Sequence, residues 1–237
     1  MPETTRYRQL DAGRITATLS RLRDRITERF PESSLSRVAG ELLDIAHESV
    51  ACVDYLRQPN WPLRIGIGAV ITAMATIIVI VAVTVHVPAT TTVLSDFVQA
   101  VEAGVNDIIF LGIAVYFLVR LESRMKRRRA LGALHELRSV VHIVDMHQLT
   151  KDPERLMAGH ADTPSSPARS MSAPEIGRYL DYCSELLSLT SKISALYVQH
   201  FNDPVVLAAV SEIEGLAAGL SNKIWQKITL LEPANQH

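Results

Sequence analysis

The sequence predicts an all-α protein: a two-helix transmembrane hairpin with a cytoplasmic helical bundle formed by its N- and C-terminal helices. Three observations predict it. Residues Ile65 to Val85 run for 21 positions without a charge, and at about 1.5 Å rise per residue that run covers the roughly 30 Å hydrocarbon core of a bilayer. Lys and Arg crowd both outer flanks of the apolar region and are absent between Val87 and Asp107. Elsewhere the apolar residues recur at helical spacing, and nothing outside the membrane segments alternates with period two.

The N-terminal region, residues 1–60, reads as two cytoplasmic helices. Ile15, Leu19, Leu22, Ile26 and Phe30 recur at helical spacing, and Pro31 stops the pattern. A second helix starts near Ser33 or Ser34 and continues through Leu35, Val38, Leu42, Ile45 and Val53. It ends before Gln58-Pro59-Asn60-Trp61-Pro62, a stiff turn into the membrane. About sixty polar, charge-rich residues precede the apolar run, whereas a signal peptide begins within the first few.

The hairpin occupies residues 61–120, with spans at about 64–87 and 100–120. The first is secure by length, because the buried helices of soluble proteins rarely go so long without a charge. The second apolar run, Ile108 to Val119, has only 12 residues. It reaches full length by extending back to Ala100, which takes Glu102, Asn106 and Asp107 into the membrane; otherwise it is a short interfacial or re-entrant segment. Charge favours the span. Arg57 and Arg64 precede the first run, while Arg120 and the block Arg124, Lys126, Arg127, Arg128 and Arg129 follow the second. Lys and Arg mark cytoplasmic flanks, so both ends are inside and the connection, with Pro88 and the Thr90-Thr91-Thr92 run, is outside. Trp61 at the inner edge fits the aromatic belt. The expected location is a cell membrane of the bacterial inner-membrane type, crossed twice.

The same basic block sets topology and attracts anionic lipid headgroups, at about 1 kcal/mol per residue near the surface. Specific lipid or nucleic-acid binding is the sharper alternative. A net charge of −1 supplies no bulk attraction to nucleic acid, and none is expected as a partner.

Residues 121–150 read as a cytoplasmic helix continuous with the second span. No proline intervenes before Pro153, and Gly132 alone is a tolerable cost. Leu134, Leu137, Val141 and Val144 keep a 3-4-3 spacing, a seam for bundle or coiled-coil packing. Residues 151–174, with Pro153, Pro164, Pro167 and Pro174 among serines, read as a flexible linker. Residues 175–233 form a helical hairpin. Ser172 and Glu175 make a capping box, the helix runs to about Phe201, and Asp203 caps a last helix that starts at Pro204. Ile213, Ala217, Leu220, Ile224, Ile228 and Leu231 are its apolar stripe, and Pro233 ends it.

Two constellations carry chemistry. Gln99, Glu102 and Asn106 fall at i, i+3 and i+7, one face of the second span, with Asp107 beside them. Asp107 lies about 20 Å along the helix from Arg120. A carboxylate near mid-bilayer costs roughly 2.5–3.5 kcal/mol and usually faces protein or water. An acidic outer mouth of a cation pore, with Arg120 at the inner mouth, is one reading. It needs an oligomer, for which Gly68, Thr72, Ala75, Ala100, Gly104 and Gly112 permit close helix approach. The other reading is a span that starts later or tilts, leaving these groups in the outer interface.

The second constellation is His135, Arg138, His142 and Asp145, one residue on from the apolar seam and so about 100° around the helix. His135, His142 and Asp145 are metal candidates, completed by Asp44, His47 and Glu48 or by Asp181 and Glu185. No Glu-x-x-His motif accompanies them, so a polar network that sets the bundle register competes with the metal, and no cofactor is expected. Cys52 and Cys183 lie outside any CxxC or Cys/His cluster and read as packing. Gly66-Ile-Gly68 sits within a span rather than after a strand, which excludes a nucleotide fingerprint. No serine, cysteine or lysine has an adjacent base. The expectation is a non-enzymatic, oligomeric membrane protein whose partners are membrane lipid, further copies of itself and a cytoplasmic protein.

Overall fold

The computed structural model describes residues 9–84, 94–151 and 171–231. All regular structure among them is helical: α1 (Ala12–Arg29), α2 (Ser34–Arg57), α3 (Trp61–Thr84), α4 (Leu94–Leu149), α5 (Ala173–His200) and α6 (Pro204–Leu231). Helix α4 begins six residues before Ala100, the expected start of the second span, and no proline between Pro88 and Pro153 interrupts it. The connection expected to be external, with Pro88 and the threonine run, most of the expected Pro-rich linker and Pro233 lie outside the described residues.

The helices divide into two units, one from Met1–Arg57 and Arg127–His237, the other Gln58–Lys126. The first is a helical bundle centred on α5. Thirteen of the 28 residues of α5 are buried, so it is surrounded rather than half-exposed. Helices α1, α2 and α6 pack on it, and α1 also packs on α2. The expected stripes are the ones buried: Ile15, Leu19, Leu22 and Ile26 on α1, and Leu134, Leu137, Val141 and Val144 on α4. Phe30, where α1 ends, meets Tyr179 and Tyr182 of α5 edge-to-face, with ring centres 5.5 and 6.2 Å apart.

Polar ties fix the register. His147 of α4 lies 3.3 Å from the Ser34 hydroxyl, while at the other end of α2 the Arg129 guanidinium sits 4.6 Å from the Tyr55 ring centre. Helices α2 and α4 are therefore antiparallel. Arg127 pairs with Asp203, Arg138 with Glu212, and Lys227 donates to the Gln148 carbonyl, so α4 and α6 run parallel. The chain accordingly leaves the bundle after Arg57 and re-enters it at Arg127 at one and the same end.

The second unit holds α3 and the first part of α4. Its half-buried residues recur at helical spacing, Leu63, Ile67, Ile71 and Met74 on α3 and Leu111, Ala114, Val115 and Leu118 on α4. Most of the remaining described side chains are apolar and exposed, up to 69% for Ile108 and 71% for Phe110. Monomeric soluble proteins rarely leave contiguous apolar surface of this extent in water.

By length and composition two helices can cross a membrane, the Gly104–Leu149 part of α4 and α6. They differ physically. Helix α6 turns Val206, Val210, Ile213, Ala217, Leu220 and Ile224 into the bundle and carries charged ties on its flanks, so it is a core helix. The apolar part of α4 buries nothing of the kind. Helix α3 reaches the same length on its sequence, with no charge after Arg64.

Candidate functional site

The second unit is pinned at its base by one carboxylate. Glu122 accepts from the Arg64 Nε at 2.8 Å and from the Asn60 backbone N–H at 3.1 Å, and pairs with the Lys126 ammonium at 3.0 Å. Lys126 also donates to the Gln58 carbonyl at 2.7 Å. Glu122 and Lys126 stand one helical turn apart on α4, while Asn60 and Arg64 bracket the start of α3. The first turn of α3 is thereby clasped to the end of the apolar run of α4. The Arg64 hydrogen bond, aided by the Asn60 N–H and by Lys126 and opposed by burial, holds the Glu122 carboxyl down at about 2, from an ordinary 4.5.

The basic block expected to serve lipid and topology divides into separate roles. Lys126 is buried in the clasp. Arg127 donates its Nε–H to Asp203 Oδ2 at 2.8 Å, and its Nη2 lies 2.7 Å from the same oxygen. Arg129 covers Tyr55, and Arg124 lies 5.2 Å from the Phe117 ring centre. Arg128 faces outward. Lys126 and Arg127 are held by carboxylates at close range, so Arg124, Arg128 and Arg129 are the members left at the surface.

Asp203 joins the block to the last helix. It caps α6 as its sequence predicts, its Oδ1 accepting from the Val205 and Val206 N–H at 3.0 and 3.3 Å. Burial pushes its carboxyl up, but the Arg127 guanidinium and these two N–H groups outweigh burial and hold it below the ordinary carboxylate range.

Of the pore candidates, Glu102 and Asn106 are exposed on α4, and the Arg120 guanidinium lies 5.2 Å from the Tyr116 ring centre. The side chains of Gln99 and Asp107 lie outside the described residues. The metal candidates do not converge. His135 and His142 are exposed, and Asp145 accepts from Gln148 at 2.7 Å. Asp44, His47 and Glu48 are exposed on α2, Glu185 is paired with Arg25 and Asp181 with Arg178. Among the described residues no three His, Cys, Asp or Glu side chains are placed to share an ion. The line His135, Arg138, His142 is the outer flank of a helix whose inner flank is fully occupied by packing. The docked histidine is His147, held below its ordinary value by burial and by Arg37 and Lys151.

Both cysteines are free and buried. Burial pushes the Cys183 thiol up to about 12 against the pull of Lys151 and Lys227, and raises Cys52 against Arg129. Thiolate is the reactive form, so neither is placed as a nucleophile.

Glu122 is the residue that sequence reasoning missed. It had a signal: it is the only carboxylate between Asp107 and Glu136, and it stands four residues before Lys126. No family model, curated protein or solved structure matches the chain.

Proposed function

We propose that the chain is a non-enzymatic integral membrane protein in which α3 and α4 cross the bilayer as a hairpin and hold a cytoplasmic helical bundle as an interaction or sensing module. The observation that carries this reading is the Glu122 clasp. It joins the inner ends of two apolar helices whose outward surfaces are built for lipid. The common exit of Arg57 and Arg127 from one end of the bundle supports the same topology, since a two-span hairpin returns the chain to the side it left. The exposed small residues Gly68, Gly104 and Gly112 offer close helix approach to further copies of the chain. Two measurements on membranes test it together. The chain is expected to stay in the pellet through an alkaline carbonate wash, and short cross-linkers in the unextracted membrane are expected to trap it in multiples. Release by carbonate contradicts the span, and a monomer alone contradicts the oligomer.

A second reading is favoured by Glu102. An exposed carboxylate within a membrane-crossing segment needs water or a partner in a bilayer. Copies meeting along α4 would give it both, at the outer mouth of a cation-selective pore. Purified protein in planar bilayers would then pass cation current that Glu102→Gln strongly reduces; absence of current in the unaltered protein removes this reading.

A further inference from the structure

The bundle carries an exposed apolar feature that the hairpin does not require. Helix α6 opens with Pro204-Val205-Val206-Leu207-Ala208-Ala209-Val210, and no charge appears before Glu212. Val206 and Val210 are buried in the bundle, but Val205 and Leu207 are 44% and 49% exposed and Ala208 is also exposed. The outer side of this first turn, where polar groups ordinarily meet water, is apolar.

Its position in the bundle is fixed. Asp203 caps this turn and is gripped by Arg127, so the apolar tip stands beside Arg127, with Arg128 and Arg129 next along α4. That is the end at which the chain leaves after Arg57. Leu10 adds a third exposed apolar side chain there, its backbone N–H held by the Gln199 side chain at 2.8 Å near the end of α5. Cations outnumber carboxylates at this end, with Arg14, Arg57, Arg127, Arg128 and Arg129 against Asp11, Asp54 and Asp203. Exposed apolar side chains at an end with excess arginine suit a surface that sinks into the headgroup region of an anionic leaflet.

We infer that the first turn of α6, with Leu207 and Val205 at its tip, docks on the inner leaflet of the membrane that the hairpin crosses, with Arg128 and Arg57 meeting anionic headgroups. The bundle is then seated on the lipid through α6 as well as tethered through α3 and α4. This inference rests on the membrane-hairpin reading. Its geometry gives a strong contrast, because Met146, 66% exposed, lies 19 residues along α4 from Arg127, about 28 Å farther from that end at 1.5 Å per residue.

The test places an environment-sensitive fluorophore on single cysteines introduced at Leu207, Met146 and Val79 of the full chain. The proteins are reconstituted in vesicles of zwitterionic lipid with and without an anionic component, and lipids spin-labelled near the headgroup or deep in the tails serve as quenchers. Quenching of the Leu207 probe by the shallow label, stronger with anionic lipid and weakened by Arg128→Gln, is the expected result, with the Met146 probe unquenched and the Val79 probe quenched by the deep label. A Leu207 probe that behaves like the Met146 probe while Val79 is quenched overturns the docking and leaves the hairpin standing. An unquenched Val79 overturns the hairpin, and the docking with it.

Discussion

Glu122→Ala is expected to destabilise the packing of α3 on α4 by about 3 kcal/mol, because it takes the carboxylate away from the buried Lys126 ammonium and leaves that charge to neutral acceptors such as the Gln58 carbonyl. Lys126 and Glu122 are 9% and 13% exposed at the side chain, whereas Arg64 is 55% exposed and recovers most of its loss in water. The cost is therefore that of a buried cation deprived of its carboxylate rather than the sum of two ion pairs. Glu122→Gln keeps the shape and the Asn60 contact and should lose less. Adding Lys126→Met to Glu122→Gln should recover much of the loss, since removing both charges removes the desolvation problem. The shift in the midpoint of SDS-driven unfolding from mixed micelles reads all three. The clasp also sets a pH dependence, led by the Arg64 hydrogen bond to Glu122. The folded carboxyl titrates at about 2 against an ordinary 4.5, so its stabilisation is fully present above 4.5 and lost as pH falls through about 2. A Glu122→Ala variant as stable as the unaltered chain would show that the clasp holds nothing.

Leu137→Ala is expected to cost about 2–5 kcal/mol in the stability of the bundle, the range for emptying a fully buried leucine site. Met146→Ala, nine residues on along the same helix but on its exposed side, should stay within about 0.5 kcal/mol. Thermal unfolding followed by circular dichroism compares them. The contrast is diagnostic because both residues belong to one continuous 56-residue helix. Equal effects would mean that α4 beyond Arg127 is not packed in the bundle.

Much of this architecture was legible in the sequence where the signal was periodic and local. The seam Leu134, Leu137, Val141 and Val144 and the cap Asp203-Pro204 follow from helix geometry and from the chemistry of a helix start, which neighbouring elements need not supply. The α1 and α6 stripes were legible for the same reason, although Ile228 is only partly buried. What depended on pairing between distant positions was not legible. Glu122 reads as one charge in a basic run until Arg64, 58 residues away, is placed against it. Lys126 and Arg127 look alike in sequence, yet one is buried in the hairpin stem and the other grips Asp203 in the bundle. The histidine line was legible as a line, but its meaning depended on which flank of α4 the packing had already taken, and the apolar seam claimed the inner one.

The functional account depends most on the hairpin crossing the membrane twice with the bundle on one side. Single cysteines at Thr91, in the connection between α3 and α4, and at Glu214, exposed on α6, can be probed in intact cells with a membrane-impermeant maleimide. The native thiols give little background, since both are buried and raised. Labelling of Thr91→Cys in intact cells, with Glu214→Cys labelled only after permeabilisation, is the predicted result. Labelling of both positions, of neither, or of Glu214→Cys alone in intact cells would contradict the two-span topology.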